Sequence, residues 1–176
     1  STAPVLDFAS LPSSLTSTST ITASAEVARE AGYDSVVGFY KVIDTAGSVV
    51  DSNGDVLTPG TVSITDYMAS ALAESNLVNE FAGLKTLSAQ KATASSDTTD
   101  FNDNGVTGDL TVTADSYSII APYAVVGDKT LGEEQTYFAF GAANEDGFDH
   151  FKALGENTIG LEDMFGGGDK DHDDLV

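Results

Sequence analysis

The sequence predicts a mainly β fold: an antiparallel β-sandwich with one or two short helices and long acidic loops. Three observations carry this. Runs rich in β-branched and aromatic residues recur every ten to fifteen residues, as in Ser35–Asp44, Leu110–Ala114 and Thr136–Ala143. Clusters of Gly, Asp and Asn separate them, which is the composition of turns. Apolar residues make up 41% of the 176 positions, with nine Phe and six Tyr, so the chain can bury a core despite its charge. The expected organisation is a single domain over residues 1–176, with residues 1–24 as a linker-like lead-in strand.

In chain order, Val5-Leu-Asp-Phe is a short strand candidate, and Leu15–Thr22 has high β-propensity. Ala23–Ala31 reads as a helical turn or a strand. Ser35–Asp44 reads as a strand with Val37, Phe39 and Val42 on its inner side. Lys41–Leu57 reads as strand, turn, strand, turn. After the breaker Thr58-Pro-Gly, a helix capped by Thr65 or Asp66 places Tyr67, Met68, Ala71 and Leu72 on one apolar face. A second short helix is expected within Leu77–Leu87, and a loop over residues 88–100. The strands Leu110–Ala114, Ser118–Val126 and Thr136–Ala143 follow. Pro122 sends the second of these to an edge or a bulge. Phe148–Leu154 returns as a strand with Phe151 and Leu154 inward. No repeat of fixed period is present, so a Thr-x-Thr ice-binding stack or an RTX β-roll, each needing tandem copies, is not expected.

Charge narrows the partners. Twenty-eight acidic residues against seven basic ones give a formal charge of −21. Nucleic acid and anionic membrane surfaces need the opposite sign, so neither is an expected partner. No apolar run approaches membrane-spanning length. There is no cysteine to staple the fold, and two histidines, His150 and His172, are too few for a zinc site. The sequence contains no nucleophile elbow, zinc-protease or phosphate-loop motif, and an enzyme is not expected.

The acidic residues are gathered into four turns, and their spacing points to a hard cation. Asp51-Ser-Asn53-Gly-Asp55 alternates oxygen ligands, but Val56 and Val62 stand where an EF-hand needs Gly and Glu. Asp100-Phe-Asn102-Asp-Asn104-Gly, with Asp109 beyond it, has the glycine but Thr111 in place of the bidentate Glu. Asn144-Glu-Asp146-Gly-Phe-Asp149 is the third. The densest is the closing stretch, where Gly166, Gly167 and Gly168 precede Asp169, Asp171, Asp173 and Asp174, and Asp163 lies upstream. Like charges this close repel by about 1 kcal/mol per pair at 4 Å even in water. Ile159, Leu161, Met164, Phe165, Leu175 and Val176 run through the same stretch, which argues for an ordered segment whose carboxylates a divalent cation holds together. Calcium is the expected cofactor, in several ions.

The end of the chain also carries a resemblance. Thr136-Tyr-Phe-Ala-Phe, Ala143-Asn-Glu-Asp-Gly-Phe-Asp-His-Phe and the segment from Leu154 to Val176 resemble a bacterial domain family. Its members close with Gly-Phe-Glu-Asp-x-x-Gly-Gly-Gly-Asp-x-Asp-Phe-Asn-Asp. Here Leu161 replaces the Phe of that motif, His172 and Asp173 stand for Phe-Asn, and Ile159 replaces a Phe just ahead of it. The likeness extends weakly back to residue 35. Among that family are the calcium-dependent peptide-binding domains of giant RTX adhesins, and the chain resembles these. The resemblance implies an extracellular adhesion module at a bacterial cell surface, exported by type I secretion and monomeric within a larger protein. Its implied partner is the free C-terminus of a peptide or protein on a host or neighbouring cell. From the residues, Gly166–Gly168 offer backbone N–H groups beside Asp169 for such a carboxylate. A calcium-rigidified spacer and a calcium-dependent lectin are the alternative readings.

Overall fold

The computed structural model describes residues 2–7, 20–27, 33, 35–78, 86–89, 108–115, 119–128, 131–174 and 176. Its elements are β1 (Leu6–Asp7), β2 (Thr20–Val27), β3 (Ser35–Val42), β4 (Val49–Val50), β5 (Val56–Leu57), α1 (Ile64–Ala71), β6 (Leu77–Val78), β7 (Thr86–Ala89), β8 (Gly108–Asp115), β9 (Ile119–Asp128), β10 (Glu133–Phe138), a 3-10 turn (Gly141–Ala143), β11 (Phe151–Gly155) and β12 (Thr158–Leu161). The fold is mainly β and antiparallel, and α1 is the one α-helix among the described residues.

β3 and β9 pair along their length and form the spine of the main sheet. β1 and β10 share the outer edge of β9, while β6 and β7 share the outer edge of β3. β2–β8, β4–β5 and β11–β12 are separate two-stranded pairs.

The registers put Tyr40 opposite Ala121, and Tyr123 opposite both Gly38 and Phe138. Because side chains alternate along a strand, Tyr40, Val42, Tyr123 and Phe138 share one face, and Val37, Ile120, Ala124, Val126 and Tyr137 the other. Both faces are buried. This corrects the expected grouping of Val42 with Val37 and Phe39: Val42 points the opposite way, beside Tyr40. A sheet covered on both sides loses the alternation that marks an inner face.

Helix α1 covers the first face. Tyr67 meets Phe138 edge-on at 5.4 Å between ring centroids. Its hydroxyl donates to the Gly47 carbonyl at 2.6 Å and lies 3.1 Å from the Tyr40 hydroxyl. The cap is Ser63 rather than Thr65 or Asp66. Ser63 is extended and its hydroxyl accepts from the Asp66 amide at 3.0 Å, with the Asp66 carboxylate at the positive end of the helix. Ser63→Ala is expected to cost about 1 kcal/mol, read as a lower urea midpoint at unchanged m.

Other expectations are revised by tertiary pairing. Leu77–Val78 and Thr86–Ala89, the described ends of the span expected to hold a second helix, are strands on the edge of β3, which offers them an open ladder; residues 79–85 lie outside the described residues. Pro122 lies inside β9, which has neighbours on both sides. Its carbonyl accepts from the Ala139 amide at 3.2 Å, so its missing N–H also faces that side, at the gap between β1 and β10. Proline therefore sits at a local edge of a central strand. The strand expected over Thr136–Ala143 ends at Phe138 and gives way to the 3-10 turn. Phe151 is buried opposite Leu161, whereas Leu154 is 42% exposed, next to the register shift between Ala153 and Gly155.

Candidate metal centre

The β11–β12 hairpin delivers two carboxylates into the interior. Beyond Leu161 the ladder runs one residue further: the Glu162 amide donates to the His150 carbonyl at 2.8 Å. Glu162 is fully buried and Asp163 is 2% exposed. Residues 163–174 then loop back over Glu162. The Lys170 amide donates to Glu162 Oε2 at 2.8 Å, and Asp174 Oδ2 accepts from the Asp163 amide at 2.8 Å.

The loop's tight path depends on its backbone. Gly166 and Gly167 have φ of 75° and 78°, the left-handed region that glycine enters without penalty. A side chain at Gly167 would strike the Phe148 ring, and one at Gly168 would come within 2.7 Å of Glu162 Oε1. Lys170 and His172 are also left-handed, at 65° and 61°. Such residues are uncommon outside glycine and are held here by their surroundings.

The result is a concentration of carboxylates. Oxygens of Glu162, Asp163 and Asp174 lie within 4.8 Å of one another, and so do oxygens of Glu162, Asp169 and Asp171. Glu162 Oε1 is buried and accepts no hydrogen bond. Burial, then the charges of Asp174 and Asp169, push the Glu162 carboxyl up to about 7. Asp174 is raised too, chiefly by burial. The Lys170 ammonium does not neutralise them through a salt bridge; it lies over the Phe148 ring, 5.9 Å from its centroid. A buried oxygen with no donor, among carboxylates whose protonation is favoured by mutual repulsion, is the arrangement a cation would relieve. The oxygen-only donor set suits a hard ion. These groups can hold a metal ion.

A column of rings supports the loop against the second face of the sheet. Tyr137 stacks on His150 with centroids 3.5 Å apart, Phe148 meets His150 edge-on at 5.0 Å, and His172 lies over Phe148 at 5.8 Å. His150 Nδ1 reaches the Glu162 carbonyl at 2.6 Å and Nε2 reaches Asp146 Oδ2 at 3.0 Å. Burial lowers the His150 pKa, and these two acceptors oppose that shift. His172 Nε2 lies 3.0 Å from the Asp149 carbonyl.

The expected ligands separate into three kinds. Asp163, Asp169, Asp171 and Asp174 are brought together around Glu162. Asp173 is half-buried and its side chain belongs to neither group; its amide donates to Asp171 Oδ1.

The side chains of Asn144, Asp146 and Asp149 in the third turn are hydrogen-bonded to the backbone around them. Asn144 Oδ1 accepts from the Phe138 amide at 2.7 Å, and Nδ2 donates to the Phe138 and Phe148 carbonyls. Asp146 accepts from the amides of Phe148 and Gly166 as well as facing His150. Burial works to raise its pKa, but the Gly166 and Phe148 amides and His150 hold it below the usual value. Asp149 Oδ1 accepts from the Gly141 amide.

Asp51, Asn53 and Asp55 form the loop of the β4–β5 hairpin. There Asp51 Oδ1 accepts from the amides of Asn53 and Asp55 at 2.8 and 2.9 Å, an Asx turn. The Asp55 amide leads the interactions that lower the Asp51 pKa. Asp109 lies in β8 opposite Glu26. Asp100, Asn102 and Asn104 lie outside the described residues.

The glycines are less open than expected. The Gly166 amide donates to Asp146 Oδ2 at 2.6 Å and the Gly167 amide to the Met164 carbonyl at 2.9 Å, so two of the three are occupied. Glu162, central to both groups, is absent from the ligands that spacing suggests. Its signal is its place directly after the apolar strand residue Leu161.

Comparison with models of known families, with curated proteins and with solved structures finds no match. No helix among the described residues is long and apolar enough to cross a membrane.

Proposed function

We propose that the chain is an extracellular, calcium-dependent adhesion module that binds the free C-terminus of a peptide or protein on a host or neighbouring cell. The observation that carries this is the convergence of four carboxylates, those of Asp163, Asp169, Asp171 and Asp174, on a buried Glu162 whose Oε1 has no donor. In this reading the ions are calcium, held by Glu162, Asp163, Asp169, Asp171 and Asp174. Calcium supplies the local positive charge that draws a partner's carboxylate to a protein of net charge −21. Asp169 and Asp171 are exposed and present the outer side of the cluster to solvent. Met164 and Phe165, 38% and 41% exposed, flank the loop and offer apolar contact to a terminal side chain. Of the three glycines, Gly168 is the one whose amide is left for the ligand carboxylate. The site binds rather than catalyses, and the module acts as a monomer within a larger surface protein.

An array of free-C-terminal peptides, run beside the same peptides amidated and beside glycans, tests this. Binding to free termini in calcium is expected, with at least a tenfold loss on amidation and complete loss after chelation. Calcium-dependent melting without any peptide binding would leave only the spacer reading, and glycan binding would favour the lectin.

A further inference from the structure

We infer that the C-terminal carboxylates form two adjoining cation positions that share Glu162: an inner one with Asp163 and Asp174, and an outer one with Asp169 and Asp171. This rests on the calcium reading above but not on the peptide.

Geometry separates the two. Oxygens bound to one calcium lie about 2.3–2.6 Å from it, and so at most about 5 Å from one another. Each group meets that limit internally, and Glu162 is the member they have in common. A single ion at either position therefore takes the carboxylates of that group alone. Two ions that share Glu162 take all five. Glu162 is built for sharing. Its Oε2 is tied to the outer loop through the Lys170 amide, and its buried Oε1 accepts nothing. Charge points the same way. One divalent ion leaves three of the five carboxylate charges uncompensated in a partly buried site, and two leave one.

The positions differ in exposure. Glu162 and Asp163 are buried and Asp174 half-buried, while Asp169 and Asp171 face solvent. The inner ion joins the end of β12 to Asp174 and is the structural one. The outer ion exchanges readily and is the one a ligand reaches. Aligned spacing gave no hint of this, since Asp163 and the Asp169–Asp174 run read as a single ligand set.

The test counts ions on the calcium-equilibrated full chain by native mass spectrometry at limiting calcium, relative to the unsubstituted protein. Asp171→Asn is expected to lose one ion and keep most of the calcium-induced rise in melting temperature. Asp163→Asn is expected to lose one ion and most of that rise. Asp163→Asn with Asp171→Asn together should lose two, as should Glu162→Gln alone. A double variant that loses only one ion, or Asp171→Asn and Asp163→Asn with the same melting behaviour, overturns the inference. Should Glu162→Gln not fold, the double variant decides, because Asp171 is exposed and Asp163 keeps its amide bond to Asp174. Two ions lost without any peptide binding uphold this inference and remove the peptide reading; one ion lost with peptide binding intact does the reverse.

Discussion

Removing divalent cations is expected to lower the melting temperature by about 10 °C at pH 7.5, and by much less at pH 5. One ion at a thousandfold excess over its dissociation constant contributes about 4 kcal/mol. For a chain of this size each kcal/mol moves the midpoint by about 2–4 °C. The pH dependence follows from Glu162. Without a cation its carboxyl is raised from an ordinary 4.5 to about 7, so between these values the folded state holds a proton that the unfolded state has released. The stability of the cation-free protein from this group is therefore fullest below pH 4.5 and is lost as pH rises through 7. Asp174, also raised, adds in the same direction. A cation must displace that proton, so its affinity falls about tenfold per pH unit below 7 for each proton released. The curves with and without calcium diverge as pH rises. Thermal melts of dialysed protein, with and without added calcium at the two pH values, measure this. Equal calcium shifts at pH 5 and 7.5 would show that Glu162 is not a ligand.

Much of the sheet was legible because its strands are long and bounded by turns. β3, β9 and β10 lie where β-branched and aromatic runs meet Gly/Asp clusters. Their facing was not legible, because Tyr40 and Val37 are both buried, on opposite sides, and alternation vanishes when helix and ring column cover the two faces. Nor were β6 and β7, whose local sequence is compatible with a helix and whose strand state comes from the edge of β3. The acidic ending was legible as a carboxylate cluster able to hold a cation, but not in detail. The Asp169, Asp171, Asp173 alternation suggests one converging row. The left-handed Lys170 and His172 instead break the row, so that Asp173 falls outside both groups and Glu162, one of a pair of carboxylates after an apolar strand, takes the centre. The third turn shows a different use of the same residue types. Its amide and carboxylates have the composition of a ligand set, and hydrogen bonding to the backbone uses the same oxygens.

Asn144 tests that last distinction most sharply. It is 3% exposed, and its amide closes three bonds to the backbone of Phe138 and Phe148. Asn144→Ala leaves a buried N–H and two carbonyls without their partner, at about 1–3 kcal/mol each, so a loss of about 3 kcal/mol or more is expected. The loss should appear in urea titrations both with and without calcium, since the lock is made without an ion. Asn144→Asp separates a lock from a ligand. It keeps the acceptor for the Phe138 amide but sets a carboxylate oxygen where Nδ2 now lies 2.9 and 2.8 Å from two carbonyls. If Asn144 bound calcium, the added charge would tighten the ion. As a lock, Asn144→Asp is destabilised about as much as Asn144→Ala and gains no calcium affinity. The consequence reaches the metal centre through the chain: Asn144 fixes the turn, Asp146 in that turn holds the Gly166 amide, and Gly166 opens the loop that brings Asp169 and Asp171 over Glu162.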